Sequence, residues 1–210
     1  MKRYFITGTD TDCGKTYVTA NLLQYFSKAA AIKPIASGCL ELNNQHVSTD
    51  ALALQEHCHL SLDVINPWRF KLPVSPHLAA KEEGGVLSIT EIADYCLNLQ
   101  LEGIERLFIE GAGGLMVPLN DKKTWIDFLQ LTQFPVILVV GMKLGCINHA
   151  LLTATALKAS KIPCAGWIAN CIDSKMLALS ENIETLEALL EAPLLATLPF
   201  SGVFSDITLS

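Results

Sequence analysis

Short, nearly uninterrupted apolar runs alternate along this chain with segments of helical periodicity, and this alternation most constrains its fold. The clearest run is 136–140, Val-Ile-Leu-Val-Val, in which every residue is aliphatic. A strand that is apolar at every position needs cover on both faces of its sheet, as in parallel sheets with helices on either side. The sequence therefore predicts an α/β fold with a mostly parallel sheet and helices on both faces. At 210 residues, we expect one domain over 1–210.

The elements are predicted in a regular order. Strands are expected at 2–8, 30–34, 106–110, 135–141, 164–170 and 194–198. Helices are expected at 15–29, 50–57, 76–83, 88–101, 147–160 and 176–190. Such sheets bind ligands beyond the carboxyl ends of their strands, and the chemically interesting residues of this sequence follow those ends.

Charge and cysteine content exclude several classes of protein. The formal net charge of −6 argues against a nucleic-acid binder, which usually carries a basic face. The longest apolar stretch, 135–142, is far shorter than the roughly 20 residues of a membrane-spanning helix. Seven cysteines without a C-x-x-C pair do not form a disulfide framework, and we expect a cytoplasmic protein. The run His57-Cys58-His59 has no second cluster to complete a metal site.

A glycine-containing segment between the first strand and the first helix predicts a phosphate-binding loop. Residues 8–16 read Gly-Thr-Asp-Thr-Asp-Cys-Gly-Lys-Thr, with five residues between the glycines where the usual pattern has four. Backbone N–H groups and the helix start favour an anion there. Lys15 is placed to reach the β- and γ-phosphates, and the Thr16 hydroxyl to bind Mg²⁺. We interpret Cys13 as a small space-filling residue of this loop. The fold is accordingly predicted to be P-loop NTPase-like.

Two acidic residues are candidate metal ligands. Asp50 follows Ser48-Thr49 at a helix start, where plain helix capping is the alternative. Glu110 is expected to end the apolar strand before Gly-Ala-Gly-Gly, where a surface turn acid is the alternative. On residue type alone, the sequence favours a solvated lysine for Lys33 before Pro34, and an ordinary turn for Ser37-Gly38.

Taken in order, the sequence motifs resemble one known family, the ATP-dependent dethiobiotin synthetases. The resemblance runs from residue 3 to about 200. Its motifs are the loop 8–16, Lys-Pro-Ile-Ala-Ser-Gly at 33–38, Asp-Ala-Leu-Ala-Leu-Gln at 50–55, Asn-Pro at 66–67, Ser-Pro-His at 75–77, Glu-Gly-Ala-Gly-Gly at 110–114, the strand 136–141 with Lys-Leu-Gly-Cys-Ile-Asn-His-Ala at 143–150, and Gly-Trp-Ile-Ala-Asn at 166–170. After Pro199 the pattern weakens.

The resemblance implies an ATP- and Mg²⁺-dependent ligase of biotin biosynthesis. It implies that CO₂ is joined to both amines of 7,8-diaminopelargonate, through a carbamate and a carbamic–phosphoric anhydride, to give dethiobiotin, ADP and phosphate. It also implies a homodimer with substrate sites at the subunit interface.

The resemblance also implies roles for individual residues. It implies that the catalytic residues are Thr11, Lys15 and Lys33, and that the metal ligands are Thr16, Asp50 and Glu110. The residues implied to bind substrate are Lys33, Ser37, Gly145, Cys146, Ile147 and Asn148. The residues implied to bind ATP are Asp12, Cys13, Gly14, Lys15, Thr16, Tyr17, Asp50, Glu110, Gly111, Ala112, Gly113, Asn170, Cys171, Pro199, Phe200 and Ser201. Asn170 is expected at the adenine edge, because an amide can donate and accept together.

Two other classes of P-loop protein are the alternatives. Another amidoligase-like enzyme would carry a glutaminase domain, for which 210 residues leave no room. A partitioning or positioning ATPase commonly carries an early lysine in the loop, where this chain has Asp10, Thr11 and Asp12. The apolar helix at 147–160 needs burial on more than one side, in the core or in a dimer seam.

Overall fold

The computed structural model describes residues 1–42 and 45–209, so Asn43, Asn44 and Ser210 of the predicted 1–210 domain lie outside the described residues. The strands are β1 Lys2–Gly8, β2 Ala29–Ile32, β3 Ile35–Ala36, β4 Leu40–Leu42, β5 Gln45–Val47, β6 Trp68–Arg69, β7 Arg106–Gly114, β8 Pro118–Asn120, β9 Lys123–Thr124, β10 Val136–Gly141, β11 Cys164–Asn170 and β12 Leu194–Leu198. The helices are α1 Lys15–Tyr25, α2 Thr49–Gln55, α3 Leu62–Ile65, α4 Pro76–Glu82, α5 Ile89–Asn98, α6 Trp125–Thr132, α7 Cys146–Ala159 and α8 Leu179–Leu189.

Six strands form one parallel sheet in the order β12-β11-β10-β1-β7-β2. Successive residues of β10 belong to different apolar clusters. Ile137 and Val139 pack in the larger cluster, with α5 and α6, while Leu138 and Val140 pack in the smaller one, with α7 and α8. Because side chains alternate across a strand, both faces of the sheet are covered. The predicted fold class is confirmed.

The differences from the predicted elements are local. The strand predicted at 106–110 was ended too early, because β7 continues to Gly114. Glu110 therefore lies inside a strand, opposite Ile6, and is not at a strand end as predicted. Glycine allows the strand to continue, since a Cβ at Gly111 would lie 2.7 Å from Cζ of Phe5. The helix α6 was not predicted at all.

The helix α7 is covered on only part of its surface within this chain. It buries Cys146, Ala150 and Leu157, whereas Leu152 is 62% exposed. The preceding Leu144 is 98% exposed. The predicted burial on more than one side is therefore not achieved inside a single chain. Across 1–42 and 45–209, every helix is too short or too polar to cross a membrane.

Candidate nucleotide and metal site

The predicted phosphate loop lies between β1, which ends at Gly8, and α1, which begins at Lys15. Gly14 precedes the helix with φ +83°, a backbone conformation that favours glycine. A Cβ there would also lie 2.2 Å from the amide nitrogen of Asn170. That amide donates a hydrogen bond to the Cys13 carbonyl at 2.8 Å, so the end of β11 supports the loop from below.

Lys15 folds back onto its own loop. Its ammonium donates hydrogen bonds to the carbonyls of Asp10 at 2.9 Å and Thr11 at 3.1 Å. The side chain is almost fully buried, and a buried ammonium needs acceptors of this kind. Phosphate oxygens are stronger acceptors than backbone carbonyls, so these bonds are replaceable by an anion in the loop.

A cluster of three charged side chains lies next to the loop, and two of them, Lys33 and Glu110, are buried. Lys33 follows β2, and its ammonium forms ion pairs with Asp50 of α2 and with Oε1 of Glu110 on β7, the latter at 2.9 Å. The Thr16 hydroxyl donates to the same Glu110 oxygen at 2.7 Å. Lys33 is 7% exposed and Glu110 is completely buried. Four separate elements thus converge on these carboxylates.

The electrostatics of the cluster keep Lys33 and Asp50 charged at neutral pH. Burial alone would lower the pKa of Lys33, but the carboxylates of Glu110 and Asp50 outweigh it and raise that pKa above its ordinary value. Burial alone would raise the pKa of Asp50, but the Lys33 ammonium outweighs it and lowers that pKa.

The alternative explanation of Asp50 as a helix cap does not hold. The cap of α2 is Ser48, whose hydroxyl accepts a hydrogen bond from the Ala51 N–H at 3.4 Å. The Asp50 carboxylate is therefore free to pair with Lys33. Glu110 is likewise a buried strand residue, and so the alternative of a surface turn acid does not hold either.

The residues suit a magnesium ion whose remaining ligands come from phosphates and waters. The second carboxylate oxygen of Glu110, Oε2, is buried without a hydrogen-bond partner in the part of the chain that the structure describes. A divalent cation is the group that such an oxygen can accept. Over residues 1–42 and 45–209 there is no cluster of three or more His, Cys, Asp or Glu side chains able to hold a metal. Mg²⁺ typically needs only one or two carboxylates when phosphates and waters supply the rest.

The loop and the charged cluster enclose a cavity of about 350 Å³. It is lined by Thr11, Asp12, Gly14, Lys15, Thr16, Lys33, Asp50, Glu110 and Gly113. All nine are residues that the sequence predicted for the site. Gly111 and Ala112 lie on the same strand, and the Ala112 carbonyl accepts a hydrogen bond from the Trp125 indole at 3.0 Å.

A second cavity of about 430 Å³ adjoins the other side of Thr11. Its walls are Gly8, Thr9, Asp10, Thr11, Gly114, Leu115, Met116, Val117, Pro118, Leu152, Thr153 and Ala156. Thr11 is the predicted residue that lines both cavities. The apolar residues 115–117 were missed, although their position directly after a glycine-rich segment is a signal in the sequence.

The other predicted residues do not line either of these cavities. Ser37 follows β3, and the segment 145–148 forms the start of α7. Cys171 and the segment 199–201 follow the ends of β11 and β12. Tyr17 links that last segment to α1, because its hydroxyl donates to the Gly202 carbonyl at 2.5 Å.

One ion pair of the loop was not predicted. Lys143, which follows β10, donates to the Asp10 carboxylate at 3.0 Å. The hydrogen bond from Lys143 lowers the pKa of Asp10. Asp10 is 133 residues from Lys143, so only the parallel pairing of β1 with β10 reveals the contact.

Comparisons with known proteins agree on one family. A family model described as an AAA domain matches residues 2–207. The chain is 66% identical over 210 residues to "ATP-dependent dethiobiotin synthetase BioD" of Legionella pneumophila strain Paris, covering 100% of this chain and 99% of that protein. It is 42% identical over 207 residues to the protein of the same name in Pseudoalteromonas translucida strain TAC 125, covering 96% and 91%.

Similarity to solved structures extends to more distant proteins. The septum site-determining protein MinD of Pyrococcus horikoshii OT3, solved with Mg-ADP, matches with a TM-score of 0.55 and 18% identity. The match covers 94% of this chain and 81% of that one. At this identity, the likeness shows the shared P-loop fold alone.

The buried ion pairs predict a specific pattern of stability. Lys33→Met should lower the free energy of unfolding by about 3–5 kcal/mol, because a buried carboxylate loses its cation. Adding Glu110→Gln should recover part of that loss by removing the uncompensated charge. Urea unfolding of both variants measures the difference. A double variant no more stable than Lys33→Met would contradict the assigned cost of the unpaired Glu110 charge. As the control, Lys28→Met removes the exposed Lys28–Glu105 pair and should change stability little.

Proposed function

The chain belongs to the family of ATP-dependent dethiobiotin synthetases, which are ligases that form carbon–nitrogen bonds, and from this premise we propose how its residues carry out the reaction. It joins CO₂ to the two amines of 7,8-diaminopelargonate and closes a cyclic urea, while ATP becomes ADP and phosphate. The observation that carries the proposal is the buried Lys33 ammonium, paired with Glu110 and Asp50 beside the phosphate loop.

The first step is attack of a neutral substrate amine on CO₂, which forms a carbamate and releases a proton. Lys33 favours the neutral amine, because a nearby cation disfavours a second ammonium. The product is an anion, and the Lys33 ammonium then offers it a charge-assisted hydrogen bond. The carboxylates of Glu110 and Asp50 raise the pKa of Lys33, which favours its protonated form.

The second step brings two anions together. A carbamate oxygen attacks the γ-phosphorus, and the bond to the β–γ bridging oxygen breaks as ADP leaves. Lys15, released from the Asp10 and Thr11 carbonyls, and Lys33 offset the charge that builds up on the transferring group. The result is a carbamic–phosphoric anhydride.

Ring closure needs no nucleophile from the protein. The second amine attacks the carbonyl of the anhydride, phosphate leaves with the former carbamate oxygen, and the amine gives up a proton. The protein contributes position and charge, which alone can supply a large part of the rate. Thr11, on the wall between the two cavities, is suited to hold the reacting group between phosphate and diamine.

Thr16, Asp50 and Glu110 would hold Mg²⁺. The unpartnered Oε2 of Glu110 and the adjacent Thr16 hydroxyl support this assignment. Bound there, Mg²⁺ would neutralise charge on the β- and γ-phosphates. Lys33, Asp50 and Glu110 together carry one net negative charge, which further favours a divalent cation.

The second cavity would hold the carbon chain of the diamine. Its walls include Leu115, Val117 and Leu152, which suit an aliphatic segment. We propose that the residues Gly145, Cys146, Ile147 and Asn148 bind the substrate carboxylate through the start of α7, reaching the site from a partner subunit. Ser37, near the end of β3, would complete the substrate contacts.

A homodimer is supported by the apolar surface that α7 and its neighbours leave uncovered. Leu152 and Met116 are both 62% exposed at the mouth of the second cavity, and Leu144 is 98% exposed. Exposed apolar surface of this kind is typical of an interaction site. Joining two copies here would also close the cavity.

We assign the enzyme to the cytoplasm.

The adenine base would lie against Asn170 and Cys171, with Pro199, Phe200 and Ser201 covering it. One N–H of the Asn170 amide donates to the Cys13 carbonyl, and we assign the amide oxygen to adenine. An acceptor suits the amino group of adenine and repels the carbonyl oxygen of guanine. Tyr17 supports the covering segment through its bond to the Gly202 carbonyl.

One assay tests the reaction and the role of Lys33. Incubation with ATP, Mg²⁺, bicarbonate and 7,8-diaminopelargonate should give dethiobiotin, detected by mass spectrometry. Lys33→Gln should lower the rate of product formation by about 100-fold or more, as loss of a transition-state donor does, while nucleotide binding persists. Lys28→Gln, which alters an exposed lysine, is the control. ADP release that does not depend on the diamine would contradict the proposed function and favour an ATPase switch.

The metal assignment predicts a shift in magnesium dependence. Asp50→Asn and Glu110→Gln should each raise the Mg²⁺ concentration needed for half-maximal activity, because each removes a charged ligand. Titration of activity with Mg²⁺ at fixed ATP measures this shift. Glu105→Gln, at an exposed ion pair, should leave the curve in place. Unchanged titrations in both site variants would remove these carboxylates from the metal shell.

A further inference from the structure

The backbone of Lys33 is held outside the central sheet. The pairing of β2 with β7 ends at Ile32, opposite Ile109. Lys33 is the next residue, and its N–H donates to the Ile65 carbonyl at 2.8 Å. Its own carbonyl accepts a hydrogen bond from the Asn66 amide at 2.7 Å. Both backbone groups of Lys33 are therefore satisfied by the two residues 65 and 66.

Asn66 is a completely buried amide, placed directly after the short helix α3. Its Nδ2 lies 2.7 Å from the Lys33 carbonyl, 3.3 Å from that of Pro34 and 3.4 Å from that of Trp68. Three carbonyl oxygens around one end of the amide require that end to be the NH₂ donor. The orientation of Asn66 is thus fixed by its surroundings.

The opposite end of Asn66 is not satisfied. Its Oδ1 is buried without a hydrogen-bond partner among residues 1–42 and 45–209. An unsatisfied buried polar atom lowers the stability of a fold. Asn66 therefore contributes through the hydrogen bonds that its Nδ2 donates.

We propose that Asn66 is a positioning residue, which fixes the backbone from which the Lys33 side chain reaches the reacting groups. This inference rests on the role of Lys33 in the proposed function. Pro34 assists, because a residue before proline is restricted to extended conformations. With the backbone held at Lys33 and Pro34, the ammonium has a fixed starting point for its contact with Glu110.

The consequence for activity follows from geometry. Lys33 must meet CO₂, the carbamate and the γ-phosphate in turn, and a displacement of about 1 Å can lower a rate by about 100-fold. The phosphate loop is held by other contacts, chiefly Asn170 and the start of α1. Loss of Asn66 should therefore reduce kcat while leaving nucleotide binding in place.

The test uses Asn66→Ala and Asn66→Ser, with two readouts on the full-length protein. The first readout is kcat, which should fall by about 10- to 100-fold while KM for ATP changes less than about twofold. The second is the NMR signal of the Lys33 side chain in lysine-labelled protein, assigned through Lys33→Gln. The chemical shift of that signal should move in the Asn66 variants, because the ammonium changes its contacts with Asp50 and Glu110.

Asn21→Ala is the matched control. Asn21 is also buried, donates to a backbone carbonyl, that of Tyr17 at 2.9 Å, and has an unpartnered Oδ1. Asn21→Ala should lower the free energy of unfolding as Asn66→Ala does, without moving the NMR signal of Lys33. If Asn66→Ala does not fold, the serine variant carries the test.

The two readouts separate this inference from the proposed function. A folded Asn66 variant with an unchanged Lys33 signal would overturn the positioning role, whatever its kcat. A moved signal with unchanged kcat would support the positioning of Lys33 and contradict the catalytic role of Lys33 itself. A moved signal together with reduced kcat is the expected result.

Discussion

The burial of one ammonium between two carboxylates is the constraint on which the site depends. Lys33 follows β2, Glu110 lies in β7 and Asp50 in α2, while Thr16 of α1 donates to Glu110. Buried ion pairs contribute little net stability, because desolvation offsets most of the attraction. An apolar group would serve the fold as well, so we interpret the charges as kept for chemistry. They also tie together the elements that border the phosphate loop.

The two cavities indicate what the charged cluster acts on. One is polar and lies under the phosphate loop, whereas the other has apolar walls and an exposed mouth, and Thr11 borders both. A nucleotide in the first and an aliphatic diamine in the second would meet at Thr11. The acidic chain binds a polyanion through local placement of lysines, despite its net charge of −6.

Much of this arrangement could be predicted from the sequence, and the exceptions have physical causes. The strands at 164–170 and 194–198 were predicted to the residue, because apolar runs between turns define them. The helix α6, Trp125–Thr132, was missed because it spans only 8 residues, although Trp125, Phe128 and Leu129 recur at helical spacing. Sequence could not decide between Asp50 as a cap and as a metal ligand, and its pairing with Lys33, 17 residues away, is visible only in the fold. The role of Asn66 is equally invisible without the fold.

We propose that ATP, metal and carbamate meet between the charged cluster and the phosphate loop. A crystal structure with Mg²⁺, a non-hydrolysable ATP analogue and 7,8-diaminopelargonate tests this arrangement. We expect the Lys15 ammonium to leave the Asp10 and Thr11 carbonyls for phosphate oxygens, and Oε2 of Glu110 to contact the metal or one of its waters. A complex in which Glu110 Oε2 makes no such contact and the metal binds elsewhere would contradict the proposed site.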